Sequence, residues 1–270
     1  IWLHSGSVVH MEVNRTGGKS VRPVCTQHSM SQREMYIWQN GGKTTFVVAD
    51  VDSVTFTKDE KVTPPTTGTE NGYEWVDLGL SVKWATCNVG ATKPEEYGDY
   101  FAWGEVEPKD YYDWSNYKWC KGTYLTKTKY CTNPSSAYDS IVDNKTTLEL
   151  VDDAAHVNWG GKWRMPNNTE LTELRELCTW TKSSQNGVEG YKVTSNKSGY
   201  TDKSVFLPMA GLYRSGSSFS SAGNGGYYWS RSLDTQITSD AWGICFYLDT
   251  PISKVSVDRP SGLSVRPVCP

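Results

Sequence analysis

Asn167-Asn168-Thr169-Glu170-Leu171-Thr172-Glu173-Leu174-Arg175-Glu176-Leu177-Cys178 is the last stretch of the chain that reads as a helix; everything after it reads as strand and turn. An Asn able to accept from the unpaired N–H groups of a first turn, with Glu170 three residues on, makes a capping box. Leu171, Leu174, Leu177 and Cys178 then fall on one helical face. Downstream come the short β-rich runs Val205-Phe206-Leu207-Pro208, Tyr227-Tyr228-Trp229-Ser230, 241–247, 255–257 and 263–268. Upstream, residues 152–159 read as one short helix, capped by Asp152 and stopped at Gly160-Gly161. Two helices early and a run of short strands late predict an α+β class.

Working back from these helices, the chain divides by composition. From residue 72 onward an aromatic occurs every few residues, and 75–80 and 82–87 read as strands. Residues 99–131 form a long Tyr- and Trp-rich loop region, with Cys120 and Cys131 placed to staple its end. Residues 64–71 read as a linker, because Pro64-Pro65 followed by small polar residues neither packs nor continues a sheet. Before it, 26–63 read as a small β unit: Met35-Tyr36-Ile37-Trp38 and the run 43–48 flank Asn40-Gly41-Gly42, and a third strand is expected over 51–57.

Residues 1–25 repeat part of the C-terminus. Ser20-Val21-Arg22-Pro23-Val24-Cys25 recurs letter for letter as Ser264-Val265-Arg266-Pro267-Val268-Cys269, and the same offset pairs Val13 with Val257, Arg15 with Arg259 and Gly18 with Gly262. The first 25 residues therefore read as the end of a preceding sister copy of the domain at 72–270. Met11 and Val13 stand opposite Val255 and Val257, apolar at period two as on the buried side of a strand. The intervening positions differ: His10, Glu12 and Asn14 against Lys254, Ser256 and Asp258. Solvent-facing positions drift freely, which accounts for the difference; a variable binding face on a constant scaffold accounts for it equally.

Composition excludes several classes. With 27 basic against 30 acidic residues and a net charge of -3, the chain lacks the positive excess that neutralises phosphates, so no nucleic-acid partner is expected. Lys118, Lys121, Lys127 and Lys129 among Tyr117, Trp119, Tyr124 and Tyr130 are read as a solvated hairpin rather than a base-stacking surface. No run approaches the roughly 18–20 apolar residues of a membrane-spanning helix, so no transmembrane segment is expected in this chain. Seven cysteines without a CxxC pair and four His without HxxxH spacing argue against zinc and thioredoxin-like sites. Spaced cysteines in odd number fit an exported chain with some disulfides, Cys25 being the one left over by the truncated copy and Cys120–Cys131 the favoured pair; seven reduced cysteines in a cytosolic domain are the alternative. Any export signal or anchor is expected upstream of Ile1. Asp143, Glu149, Asp152 and Asp153 offer hard oxygen ligands for a structural calcium, and ordinary helix caps and solvated charges explain them as well. No other cofactor is expected.

Asp77-Leu78-Gly79-Leu80, the run 84–91, the run 97–105, Asn158-Trp159-Gly160-Gly161-Lys162-Trp163-Arg164-Met165-Pro166, Tyr228-Trp229-Ser230 and the final Val265-Arg266-Pro267-Val268 resemble the major paralogous domain of gut and rumen bacterial surface proteins, over residues 72–269. The resemblance implies a C-type-lectin-like fold of the formylglycine-generating-enzyme branch, and hence an extracellular or cell-surface protein. The oxidising relatives use a close pair of cysteines near the C-terminus. Here Cys245 and Cys269 lie 24 residues apart, which argues against that activity. The Glu-Pro-Asn, Gln-Pro-Asp and Trp-Asn-Asp triplets of calcium-dependent sugar-binding lectins do not occur.

The chain is also similar to ligand-binding proteins diversified by retroelements, whose frame is matched by Tyr228-Trp229-Ser230, Ala241-Trp242, Phe246, Arg259 and 265–268. Between these frame residues lie Arg231, Leu233, Asp234, Gln236, Leu248, Asp249, Lys254, Ser256 and Asp258, which the resemblance marks as ligand-binding candidates. Adenine mutagenesis of Asn codons does not generate Gln236 or Lys254, so duplication and drift account for the same face. The expected function is non-catalytic recognition or adhesion, with a host or bacterial surface glycan or protein as partner. The alternatives are a structural module of a surface assembly and a formylglycine-generating-like oxidoreductase. Exposed Trp and Tyr of 99–131 offer a second contact surface, unless they fill the core of a strand-poor region.

Overall fold

The computed structural model describes residues 65–214 and 216–270 in full and, from residues 1–64, the backbone of two strands only. These are β1 (Glu34–Gln39) and β2 (Gly42–Val47), antiparallel with Gln39 opposite Gly42. The repeat at 1–25 and the strand expected over 51–57 lie outside the described residues. Residues 1–64 and 65–270 are separate compact units.

The second unit holds two α-helices and mostly antiparallel sheets, an α+β arrangement. It starts earlier than the composition suggests. Within the expected linker, β3 (Thr67–Glu70) pairs antiparallel with β4 (Tyr73–Val76), and β5 (Lys83–Ala85) follows. The small residues that make 66–69 look like a linker are what let it lie on Trp75: a Cβ on Gly68 would stand 2.5 Å from the indole.

After β6 (Tyr100–Phe101), residues 102–153 hold only 3-10 turns and isolated bridges. Helix α1 (Ala154–Trp159) is capped by Asp153, one residue later than expected, and closes at Gly160 in a positive-φ conformation. Asp152 instead takes the Lys129 ammonium and the Tyr130 hydroxyl. Helix α2 (Asn168–Glu176) has the expected capping box between Asn167 and Glu170 and buries Leu171 and Leu174. It stops short of Cys178, because Thr179-Trp180-Thr181 and their neighbours favour a strand. Cys178 opens the hairpin β7 (Cys178–Gln185) and β8 (Val188–Ser195), turned at Asn186-Gly187, and β9 (Ser204–Pro208) completes a three-stranded sheet.

The largest sheet runs in the order β11 (Ser218–Ala222), β10 (Ala210–Arg214), β12 (Gly225–Leu233), β13 (Asp240–Tyr247), β14 (Thr250–Asp258). Its β10–β12 pair is parallel, as is the pair of β12 with β15 (Leu263–Ser264), which also meets β6. The run 263–268 is therefore not one strand. The chain leaves the large sheet after β15 and enters the sheet of β3, β4 and β5 as β16 (Val268–Cys269).

Alternation along β12 and β13 gives this sheet a core on each side. Tyr227, Trp229 and Leu233 face a cluster with Trp103, Trp159, Trp163 and Val257. Tyr228, Ile244 and Phe246 face a second cluster with Leu171, Leu174, Trp84 and Val268. The aromatics of the strand-poor region are mostly structural: Trp103, Tyr112, Tyr117 and Tyr130 are buried, and only Tyr111 and Tyr124 among the tyrosines of 99–131 stand about half exposed, at 50% and 51%. The buried indoles direct N–H groups at backbone carbonyls, Trp103 to Ser230 at 2.8 Å and Trp229 to Phe101 at 2.7 Å.

Candidate functional site

The repeat motif is a buried tie between sheets. Arg266, 1% exposed, donates from Nε to the Asn88 amide oxygen at 2.8 Å, from Nη1 to the carbonyls of Ala85 and Thr86 at 3.0 and 2.7 Å, and from Nη2 to Phe206 at 2.9 Å. Every position that agrees between the two copies, Val257, Arg259, Gly262 and 264–269, is buried. Of the outward positions that differ, Lys254 and Asp258 are exposed and Ser256 is half-buried.

In the β13–β14 register, Asp240 stands opposite Asp258, Trp242 opposite Ser256, and Ile244 opposite Lys254. These six residues share one face. At its Ile244 end, α2 and the second core cover the face. Toward Asp240 it opens, and Lys254 lays its ammonium 3.9 Å from the centre of the half-buried Trp242 ring, while Leu171, Thr172 and Arg175 line the α2 side next to Ile244 and Lys254. Ser256 Oγ donates to Asp234 at 2.6 Å and lies 3.3 Å from Asp240. The Asp258 carboxyl is held above its ordinary range by partial burial and by the Asp240 charge, with Arg214 opposing.

The nine expected ligand-binding residues do not form one surface. Leu233 is buried in the first core, because it lies an even number of residues from Tyr227 and Trp229 and so shares their face, opposite Ala241. Asp234 is buried too, accepting from the backbone N–H of Gln236 at 2.9 Å and of Ile237 at 3.3 Å, so it shapes the turn. Arg231 points inward: its guanidinium donates to the Leu148 carbonyl and stands 3.8 Å from the buried Asp153 carboxylate. Burial pushes the Arg231 pKa down and that of Asp153 up, the latter opposed by Arg231. Leu248 packs on the second core, and the exposed Asp249 pairs with Lys182 at 2.7 Å, at the far end of the β13–β14 hairpin. Gln236, Lys254, Asp258 and, in part, Ser256 remain at the open end. Asp240 and Trp242 join them; strand alternation outward from the small residues Ala241 and Gly243 is the signal that identifies both.

The other candidate groups are occupied within the domain. Asp143 accepts from the N–H of Tyr130 and Cys131, Glu149 pairs with Lys129 and Lys145, and Asp153 caps α1 and accepts from Met165. Among the described residues no three His, Cys, Asp or Glu side chains converge as metal ligands. Lys127 is buried and Lys129 is engaged by Glu149 and Asp152, so the lysine cluster is not a continuous basic surface. Among the described residues no two cysteines are bonded to each other, Cys120 and Cys131 both being buried. Cys120 donates to the Trp114 carbonyl at 3.0 Å, while the loop is tied by Lys127 bridging to Cys120 and Ala137. Burial raises the Cys245 thiol and pushes that of Cys269 up to about 11. No helix among the described residues is long and apolar enough to cross a membrane. No family model, curated protein or solved structure matches this chain.

Proposed function

We infer that residues 65–270 form a C-type-lectin-like recognition domain of a cell-surface or secreted protein, binding a surface glycan or protein without chemistry. The face is the open end of the β13–β14 ribbon, with Gln236, Asp240, Trp242, Lys254 and Asp258 as its contact residues. One observation carries this reading: positions identical in the two copies are buried, and the exposed ones beside them have changed. A scaffold of that kind lets outward side chains be exchanged at little cost to folding, which separates specificity from stability. An indole beside an ammonium and two carboxylates presents a stacking surface and directional polar groups to a partner.

The test is binding of the full chain to a glycan array, to mucin and to bacterial surface protein extracts, with and without calcium. Beside it runs a variant with Gln236→Ala, Asp240→Ala, Lys254→Ala and Asp258→Ala. The expected result is binding by the wild type and its loss in a variant that unfolds at the same temperature. Equal binding by both proteins, or no binding by the wild type, rejects the reading.

A further inference from the structure

Two cations lie inside the domain without an acid. Arg259 is 0% exposed and Lys127 1% exposed, and among the described residues neither has a carboxylate within ion-pair distance. Arg259 spends only Nη1, which lies 3.2 Å from the Tyr130 carbonyl and 3.4 Å from that of Lys129. Its Nε and Nη2, the two donors along one edge of the guanidinium, have no acceptor. Lys127 Nζ donates to the Tyr124 carbonyl at 2.6 Å, leaving the rest of its donor capacity unused.

Packing does not remove this charge. The rings of Trp103, Trp114 and Tyr117 surround the guanidinium at 5.7, 5.9 and 5.5 Å and offset part of it. A ring face does not replace an in-plane oxygen or halide acceptor for Nε–H and Nη2–H. Burial pushes the Lys127 pKa down to about 8, and the Arg259 charge pushes the same way, so the two cations act on each other. Asp240 and the Cys120 and Cys131 thiols oppose that shift from outside ion-pair distance. Like charges buried together are costly unless a counter-charge joins them, and unused buried donors are where bound ions are found.

We propose that Arg259 forms an internal binding site for a small monovalent anion of halide size, held along its Nε–Nη2 edge, with one negative charge offsetting the Arg259 cation and relieving its repulsion of Lys127. The enclosure of both groups selects a small anion over a polyanion. With no carboxylate at ion-pair distance among the described residues, the counter-charge is left to come from solvent. Arg15, the match of Arg259 in the sister copy, is kept where its outward neighbour Asn14 differs from Asp258, as expected for an internal function.

The experiment is thermal unfolding of the full chain at constant ionic strength, replacing sodium gluconate, whose anion is too bulky for the site, with sodium chloride or bromide. With a Kd of about 10 mM, chloride binding to the folded state alone raises the midpoint by about 3–5 °C between 1 and 100 mM. Crystals grown in bromide then carry an anomalous peak against Nε and Nη2 of Arg259. A folded Lys127→Met variant loses most of the halide-dependent rise. Equal midpoints in gluconate and halide, a bromide map with nothing at Arg259, or a folded Lys127→Met variant that keeps the full rise overturns the proposal. If that variant does not fold, the two wild-type measurements decide.

Discussion

Arg266 ties together three segments distant in sequence, and its neighbours in the repeat, Val265 and Val268, are completely buried beside it. Replacing it with Met strands the Asn88 amide and three carbonyls in the interior. Arg266→Met is expected to cost about 3–5 kcal/mol in urea unfolding, against less than about 0.5 kcal/mol for the exposed Lys254→Ala. Lys127 gives a prediction of pH dependence. Its pKa falls from the ordinary 10.5 to about 8 on folding, so between those values the unfolded chain binds the extra proton and stability rises with pH. In gluconate buffer the stability of the wild type relative to Lys127→Met is expected to rise from pH 7.5 to pH 10, and a flat difference contradicts the burial. At this scale the sequence is an incomplete guide. Leu233 is in phase with Tyr227 and Trp229, so period two does mark it as inward, whereas the burial of Asp234 comes from its side chain folding onto its own turn, which its letter does not show.

Elements were legible where a local signal agreed with the tertiary context. Helix α2 begins at its capping box, and Asn167→Ala is expected to cost about 1 kcal/mol by urea unfolding, because it removes the acceptor of the Glu170 N–H and half of a reciprocal pair. A loss below about 0.2 kcal/mol would mean that packing of Leu171 and Leu174 alone holds the first turn. Of the β-rich runs after α2, 205–208, 227–230, 241–247 and 255–257 fall within β9, β12, β13 and β14. Other elements were hidden. The hairpin of β7 and β8 has a readable Asn186-Gly187 turn, but its first strand starts inside the helical periodicity and carries lysine and serine on its exposed side. In β3, small residues that mimic a linker are required by the Trp75 ring beneath them. The break between β15 and β16 is set by Arg266 and Pro267 crossing between sheets, a long-range arrangement that a run of apolar letters does not encode.

On the scale of the whole molecule, every position kept in the duplicated C-terminal segment is buried, although the buried Pro260, Ser261 and Leu263 also differ from Thr16, Gly17 and Lys19. Val257, Arg259 and the Ser264–Cys269 hexapeptide form the buried frame, and Lys254 and Asp258 stand outside it. Ser256 belongs to neither group. It differs between copies, yet its hydroxyl joins Asp234 and Asp240, so a carboxylate placed there, as in Glu12 of the sister copy, would meet two others. The candidate face was thus legible in outline from the repeat, while its extent depends on which end of the sheet α2 covers.

The most direct measurement transplants the sister copy's outward residues, Lys254→His with Asp258→Asn, into the full chain and records both unfolding and binding to the same panel of surface glycans and proteins. The account predicts an unfolding free energy within about 0.5 kcal/mol of the wild type and a changed set of bound ligands. A variant that binds the same ligands equally well, or one that loses several kcal/mol of stability, would contradict a variable recognition face on a constant frame.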